Sequence, residues 1–227
     1  MLKKVSRALF GGSCFLCRGA AQDILCAACD ADLPRLPQAV CPRCALASPG
    51  GALCGRCLSR APHFDATRAA LDYRFPADVL VHALKFRGEL ALAPLLGALL
   101  REALGPEARA DAVVPVPLSD ARLRERGFNQ AMEIARPLAA AARAPLEAGL
   151  CERTRHTAAQ IELPLAERER NVRGAFRCPR PLSGGTIAVV DDVMTTGATL
   201  DEVAATLKAA GAARVVNWVV ARTAPPA

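Results

Sequence analysis

Two groups of residues in this chain have the types and spacing to do chemistry. The first is a set of cysteines. Eight of the ten form four Cys-x-x-Cys pairs, Cys14/Cys17, Cys26/Cys29, Cys41/Cys44 and Cys54/Cys57, all in the first quarter of the chain. Each pair can turn two thiolates toward one metal ion, and two pairs complete a tetrahedral four-cysteine zinc site. Sequential pairing is the simplest: Cys14, Cys17, Cys26 and Cys29 at one site, Cys41, Cys44, Cys54 and Cys57 at the other. Spacing alone leaves an interleaved pairing open. A closed four-thiolate site has no open position for a substrate, so the predicted zinc is structural. No thioredoxin-like βαβ pattern surrounds any pair, which argues against redox chemistry. The segment is short and poor in large apolar residues, so zinc binding and folding should be coupled. Cys151 and Cys178 stand apart and read as small core or surface thiols.

The second group is Ile187-Ala-Val-Val-Asp-Asp-Val-Met-Thr-Thr-Gly-Ala-Thr199. Four apolar residues read as a short buried parallel strand, and the strand delivers Asp191 and Asp192 to its carboxyl end. Adjacent acids there cost desolvation energy unless something uses them. A short Thr/Gly loop follows, and Gly197, lacking a Cβ, lets backbone approach a phosphate closely. The next helix is predicted to start near Thr199, with Glu202 three residues on in capping-box spacing. Leu200, Val203, Ala204 and Leu207 then share one face, Gly211 ends the helix, and Val215 to Ala221 reads as a further strand. This βαβ unit is a cradle for a phosphorylated sugar. The other common phosphate cradle, G-x-x-x-x-G-K-[ST], is absent. The stretch resembles the phosphoribosyl-pyrophosphate (PRPP) signature of type I phosphoribosyltransferases. That resemblance implies ribose-hydroxyl and catalytic roles for Asp191 and Asp192. It implies PRPP binding along Val193, Met194, Thr195, Thr196, Gly197, Ala198 and Thr199, with the loop on the 5′-phosphate and Mg2+ accompanying the ligand.

The elements that must position these groups come from the middle of the chain. Ala112 to Pro117 reads as a second buried strand, followed by Leu118-Ser-Asp-Ala-Arg-Leu-Arg-Glu-Arg-Gly-Phe-Asn-Gln130 and a helix to about Ala142. Two further segments are His82-Ala-Leu-Lys-Phe-Arg-Gly88 and Arg153-Thr-Arg-His-Thr-Ala-Ala-Gln160, the latter continuing through Arg168-Glu-Arg-Asn171. With the cysteine module and the terminal signature, they resemble the ComF family of phosphoribosyltransferase-like proteins, some implicated in DNA uptake. The resemblance spans nearly the whole chain. It implies that Arg126, with Arg124, Asn129 and Gln130, lies near the pyrophosphate, where a planar guanidinium binds phosphate oxygens bidentately. It places Lys85 on a helix preceding the sheet, where a solvated lysine is the bland expectation. It makes Arg153, Gln160, Arg168 and Asn171 part of a mobile hood.

Composition narrows the class. The chain has 227 residues, 52% hydrophobic and 22% charged, an ordinary globular balance with room for one sizeable core and a small module. No apolar run approaches the ~18 residues of a membrane span, and Leu90 to Leu100 contains Pro94. No signal-peptide pattern precedes Cys14, so a cytoplasmic protein without membrane insertion is expected. The formal charge is +7, but eight thiolates and two zinc ions lower it to about +3. The basic pI is therefore weak evidence for nucleic acid. Aromatic content of 4% argues against a base-stacking platform. His63, His82 and His156 have no paired spacing and read as neither ligands nor bases.

The expected architecture is α/β. Residues 1–60 form a double zinc ribbon, and residues 61–227 form a type I phosphoribosyltransferase-like domain with a mostly parallel central sheet flanked by helices. The expected ligand is PRPP with Mg2+. Transfer of phosphoribosyl to an acceptor is one activity; a DNA-uptake factor holding single-stranded DNA or protein partners, with PRPP as regulator, is the alternative. The ribbons could also serve as a docking or homo-oligomer surface. The N-terminal glutaminase cysteine of amidophosphoribosyltransferases is replaced here by zinc knuckles, so ammonia from glutamine is not indicated.

Overall fold

A computed structural model describes residues 12–106, 108–154 and 172–224. Four strands form the central sheet: β3 (Ala66–Asp72), β4 (Ala112–Pro115), β7 (Thr186–Met194) and β8 (Arg214–Arg222), in the order β3-β8-β7-β4 and all parallel. The apolar runs read from sequence are its interior, with Val113, Val114, Val189, Val190, Val219 and Val220 fully shielded from solvent. A parallel sheet covered on both faces needs such unalternating apolar strands. β7 is longer than the apolar run that announced it. It continues through both acids to Met194, so Asp191 and Asp192 are held by sheet hydrogen bonding.

One face is covered by α3 (Ala77–Arg87), α4 (Leu92–Leu104) and α6 (Gln130–Ala142), whose Leu80, Leu84, Leu96, Leu100, Ile134 and Leu138 are fully buried. The other face is covered by α7 (Ala198–Ala209), with Leu200, Val203, Ala204 and Leu207 buried as expected. A two-stranded ribbon, β5 (Glu152–Arg153) with β6 (Phe176–Arg177), lies on that side. The cysteine module carries β1 (Gly12–Ser13), β2 (Ala20–Ala21), α1 (Ala27–Ala31) and α2 (Gly55–Ser59). It is joined to the sheet by backbone: Arg35 bridges Leu71 on β3, and the Thr67 N–H donates to Pro42 O at 3.1 Å.

Three local expectations are corrected. The strand Ala112 to Pro117 stops at Pro115, and a short helix, α5 (Asp120–Arg126), capped by Ser119, fills the connection to α6. The helix bearing Lys85 follows β3 instead of preceding the sheet. The capping box at Thr199 does not form. Gly197 (φ 88°) caps α7, and the Glu202 carboxylate accepts the Gly174 N–H at 2.6 Å. A left-handed backbone at 197 suits glycine and starts the helix two residues early.

Candidate functional site

β7 carries Asp191 and Asp192 to its carboxyl end, the end at which open α/β sheets bind ligands. Asp192 keeps 4% of its side chain exposed. Its Oδ1 accepts the Val193 N–H at 2.8 Å, and its Oδ2 lies 3.1 Å from Lys85 Nζ. That Oδ2 is buried and has the Lys85 ammonium as its ion-pair partner, and the same Nζ donates to Oδ1 at 3.4 Å. Asp191 is half-buried, and its Oδ1 accepts the Asp192 N–H at 2.9 Å. Burial, reinforced by the charge of Asp192, pushes the Asp191 carboxyl up to about 8, with Lys85 opposing the shift.

Lys85 is no solvated lysine: 26% of its side chain is exposed, and its ammonium is the partner of Asp192. Burial works against that ammonium, but the charges of Asp192 and Asp191 outweigh it and hold its pKa above the usual value. Arg126 lies against the Phe86 ring, 5.5 Å from its centroid, and donates to Gln130 Oε1 at 2.5 Å. Burial lowers its pKa and the charge of Asp192 counters it. Gln130 is buried and orients Arg126. Asn129 is committed to the backbone: its Oδ1 caps α6 through the Ala131 N–H, and its Nδ2 donates to Val116 O at 3.0 Å. Arg153 reaches the same centre, within electrostatic range of Asp191 and over the Phe176 ring. Gln160, Arg168 and Asn171 lie outside the described residues.

The loop Thr195 to Thr199 follows directly. Thr196 Oγ1 accepts the Ala198 N–H at 3.2 Å, and the Asp201 N–H closes on Gly197 O at 2.8 Å. Met194 is buried, and Val193 is half-buried. The N-terminus of α7, a helix of 12 residues, therefore opens on the loop beside the two acids. Oriented N–H groups and the helix dipole favour an anion there.

Four further residues bear on this centre. Arg122 on α5 is close enough to Arg126 and Arg153 to depress both pKa values, after burial. Tyr73, just past β3, is held above the usual phenol value by burial and senses both Lys85 and Asp192. Arg222, the last residue of β8, donates from Nη1 to Met194 O at 2.8 Å and to Thr195 O. Arg56 on α2 donates to Thr196 O. A lone arginine ending the apolar run Val215 to Ala221 was the available signal for Arg222.

The cysteines assemble sequentially. Cys14, Cys17, Cys26 and Cys29 form one cluster and Cys41, Cys44, Cys54 and Cys57 the other, with ligand atoms in each within 4.8 Å of one another. In each cluster one thiol is held low, and one in the first and two in the second are held high, Cys44 by burial. Burial opposes ionisation of Cys14 and Cys41, but backbone N–H groups bring both down to about 6. Burial and then the neighbouring thiols push Cys29 up to about 12 and Cys57 higher still. Four thiols this close cannot all ionise without a cation, which is the donor set that suits zinc. Among the described residues no helix is long and apolar enough to cross a membrane.

Comparison with known proteins agrees with this arrangement. Residues 5–58 match the double zinc ribbon domain family, so the two clusters are the zinc-binding sites of that module. DNA utilization protein YhgH of Salmonella typhimurium is 38% identical over 93% of this chain and 97% of its own length. The Escherichia coli K12 protein of the same name is 37% identical over the same shares. Competence protein F of Haemophilus influenzae is 30% identical over 94% of this chain and 98% of its own. Among solved structures, the B. subtilis glutamine PRPP amidotransferase complexed with ADP and GMP aligns at a TM-score of 0.37. It is 26% identical, over 55% of this chain and 25% of that chain. Near end-to-end similarity to the YhgH and competence proteins, joined to a double zinc ribbon and a parallel α/β body, places this chain in the ComF family.

Proposed function

We propose that this protein binds PRPP with Mg2+ at the carboxyl end of β7 and transfers its phosphoribosyl group to an acceptor with release of pyrophosphate. One observation carries the reading: two adjacent acids, one with a buried oxygen paired only to the Lys85 ammonium, are surrounded by more positive than negative charge. Lys85, Arg126 and Arg153, with Arg122 behind them, outnumber Asp191 and Asp192. Arg126 and Arg153, lowered by burial and then by the charge of Arg122, call for an anionic partner. A sugar bearing a 5′-phosphate and a 1-pyrophosphate supplies charge at both ends and hydroxyls between.

Asp191 and Asp192 receive the ribose hydroxyls. The backbone from Val193 to Thr199 receives the 5′-phosphate. Lys85, Arg126, Arg122 and Arg153 face the pyrophosphate, with Gln130 and Asn129 holding Arg126 and its turn in place. Mg2+, a hard cation that prefers oxygen ligands, would neutralise charge on the leaving pyrophosphate when bound. The acceptor attacks ribose C1, the bond from C1 to the pyrophosphate oxygen breaks, and its electron pair leaves with pyrophosphate. Positive charge develops on the ribose, and the Asp192 carboxylate favours that state while the cations favour the leaving group. Residues 1–60 act as the ribbon module and residues 61–227 as the phosphoribosyltransferase-like domain of a cytoplasmic protein.

Calorimetry of PRPP with Mg2+ tests the site. Micromolar affinity, about −8 kcal/mol, is expected for the wild type and should vanish in the Asp191→Asn/Asp192→Asn double variant. A folded, zinc-loaded wild type that binds no PRPP overturns the reading. The names of the relatives, DNA utilization and competence proteins, favour a second one. In it the protein is a factor for single-stranded DNA or DNA-uptake proteins, and PRPP regulates it. PRPP binding without pyrophosphate release across an acceptor screen, together with PRPP-dependent anisotropy of a labelled oligonucleotide, would select this second reading.

A further inference from the structure

We propose that the second zinc ribbon is part of the phosphate loop: Arg222 and Arg56 hold the loop backbone against the Cys41/Cys44/Cys54/Cys57 site and so position it for its ligand. The proposal rests on the reading above that the loop receives a phosphate.

Arg222 is 2% exposed. Its Nε donates to Cys44 O at 2.8 Å, and its Nη1 donates to Met194 O and Thr223 O, each at 2.8 Å, and to Thr195 O. All four acceptors are backbone carbonyls, so a buried cation here needs a counter-charge from elsewhere. The zinc site provides it. Four thiolates around one Zn2+ carry about −2 formally. Arg56, between the ligands Cys54 and Cys57, donates to Thr196 O. Two arginines thus take three consecutive carbonyls, Met194, Thr195 and Thr196.

A trans peptide sets its N–H opposite to its C=O. Carbonyls of 194, 195 and 196 that converge on the two arginines turn the N–H groups of Thr195, Thr196 and Gly197 away from them. Successive N–H groups facing one way form an anion-binding concavity. The apolar contacts agree: Cys41, Cys44, Cys57 and Phe64 share one core cluster with Met194 and Leu200. A Cβ on Gly197 would lie 3.8 Å from Phe64. Arg222 and Arg56 are positioning residues. They touch the backbone that would bind the ligand, and zinc in the second site and phosphate in the loop should each stabilise the other.

Arg56 is exposed, so Arg56→Ala spares the core, and Arg18→Ala beside Cys17 of the first ribbon is its control. Both variants are compared with wild type, all zinc-loaded with zinc content measured. Arg56→Ala should weaken PRPP–Mg2+ binding about tenfold, with partial recovery in Arg56→Lys; Arg18→Ala should leave it unchanged. PRPP should slow zinc transfer from the wild type to a chromophoric chelator, and Arg56→Ala should lose that protection. Unchanged affinity and unchanged protection in Arg56→Ala overturn the proposal. If the wild type binds no PRPP, the functional reading fails, and amide exchange over residues 195–199 decides this one. Faster exchange in Arg56→Ala upholds it, and unchanged exchange overturns it.

Discussion

The two zinc ribbons present zinc with the same four thiolates, yet they lean on the α/β body in different ways. The first contributes Cys14, Leu25 and Leu33 to the core cluster that includes Leu80, Leu84 and Leu96, beneath α3 and α4. Its exit segment forms an antiparallel bridge, Arg35 to Leu71, on the edge strand β3. The second places its cysteines among Met194 and Leu200 and sends Arg56 to the loop carbonyls, where Arg222 also donates. Apolar packing is non-directional and tolerates small shifts; a hydrogen-bonded arginine sets orientation. The first ribbon therefore supports α3, and Lys85 with it, as a body, whereas the second sets the shape of a loop.

Loss of a zinc ligand is the harshest way to break the comparison, because structural zinc is worth roughly 10–16 kcal/mol of apparent binding energy. Cys17→Ser and Cys54→Ser should each release one of two zinc equivalents in a chelator titration. Cys54→Ser should lower PRPP affinity at least about a hundredfold and Cys17→Ser less than about tenfold. Equal losses would mean that the ribbons are interchangeable. Next in size is Leu25→Ala, which removes a buried side chain from the core cluster that α3 shares. Denaturant unfolding should show a cost of about 2–3 kcal/mol, with amide exchange in residues 195–199 unchanged. Lys85→Met should cost about 2 kcal/mol, less than the roughly 3–5 of a fully buried pair because part of Lys85 meets solvent. It leaves Asp192 without its cation, so the loss should shrink in the Lys85→Met/Asp192→Asn double variant.

What could be read in advance follows from how local each signal is. The knuckle spacing, the apolar strands and the face of α7 are set by residues within a few positions of one another, and all of them formed. Sequential zinc pairing was the simplest of two open choices and needed the fold to settle it. The capping box at Thr199 obeyed its local rule and failed. Gly197 could take the left-handed cap, and Gly174, 28 residues away, claimed Glu202. Lys85 looked solvated because its partner, Asp192, is 107 residues on. Arg56 and Arg222 join segments 140 and 28 residues apart to the loop, and no local pattern announces such a pair.

The smallest expected effect is also the one that separates the charged side of the site from the clasped side. Asp191 has its carboxyl pushed up to about 8 by burial and by Asp192. The groups that bear on it are Asp192 from the same strand, Lys85 from α3 and Arg153 from β5, with Arg122 behind. Between about pH 4 and pH 8 the folded chain keeps a proton that the unfolded chain has lost, so Asp191 makes stability fall as pH rises across that window. Below it both states are protonated and the penalty is absent; above it both are ionised and the penalty is complete. Asp191→Asn removes this dependence. Its Tm should match wild type near pH 4 and exceed it by about 3 °C at pH 8. That corresponds to about 1 kcal/mol in a chain of this size, allowing for screening of a half-buried carboxylate. Lys85→Met should move the window to higher pH, because the cation that opposes the shift is gone. Arg56→Ala should leave it where it is, since Arg56 acts on the loop backbone and not on the carboxylates. A window that moves in Arg56→Ala as far as in Lys85→Met would show that the second ribbon reaches the acids as well as the loop.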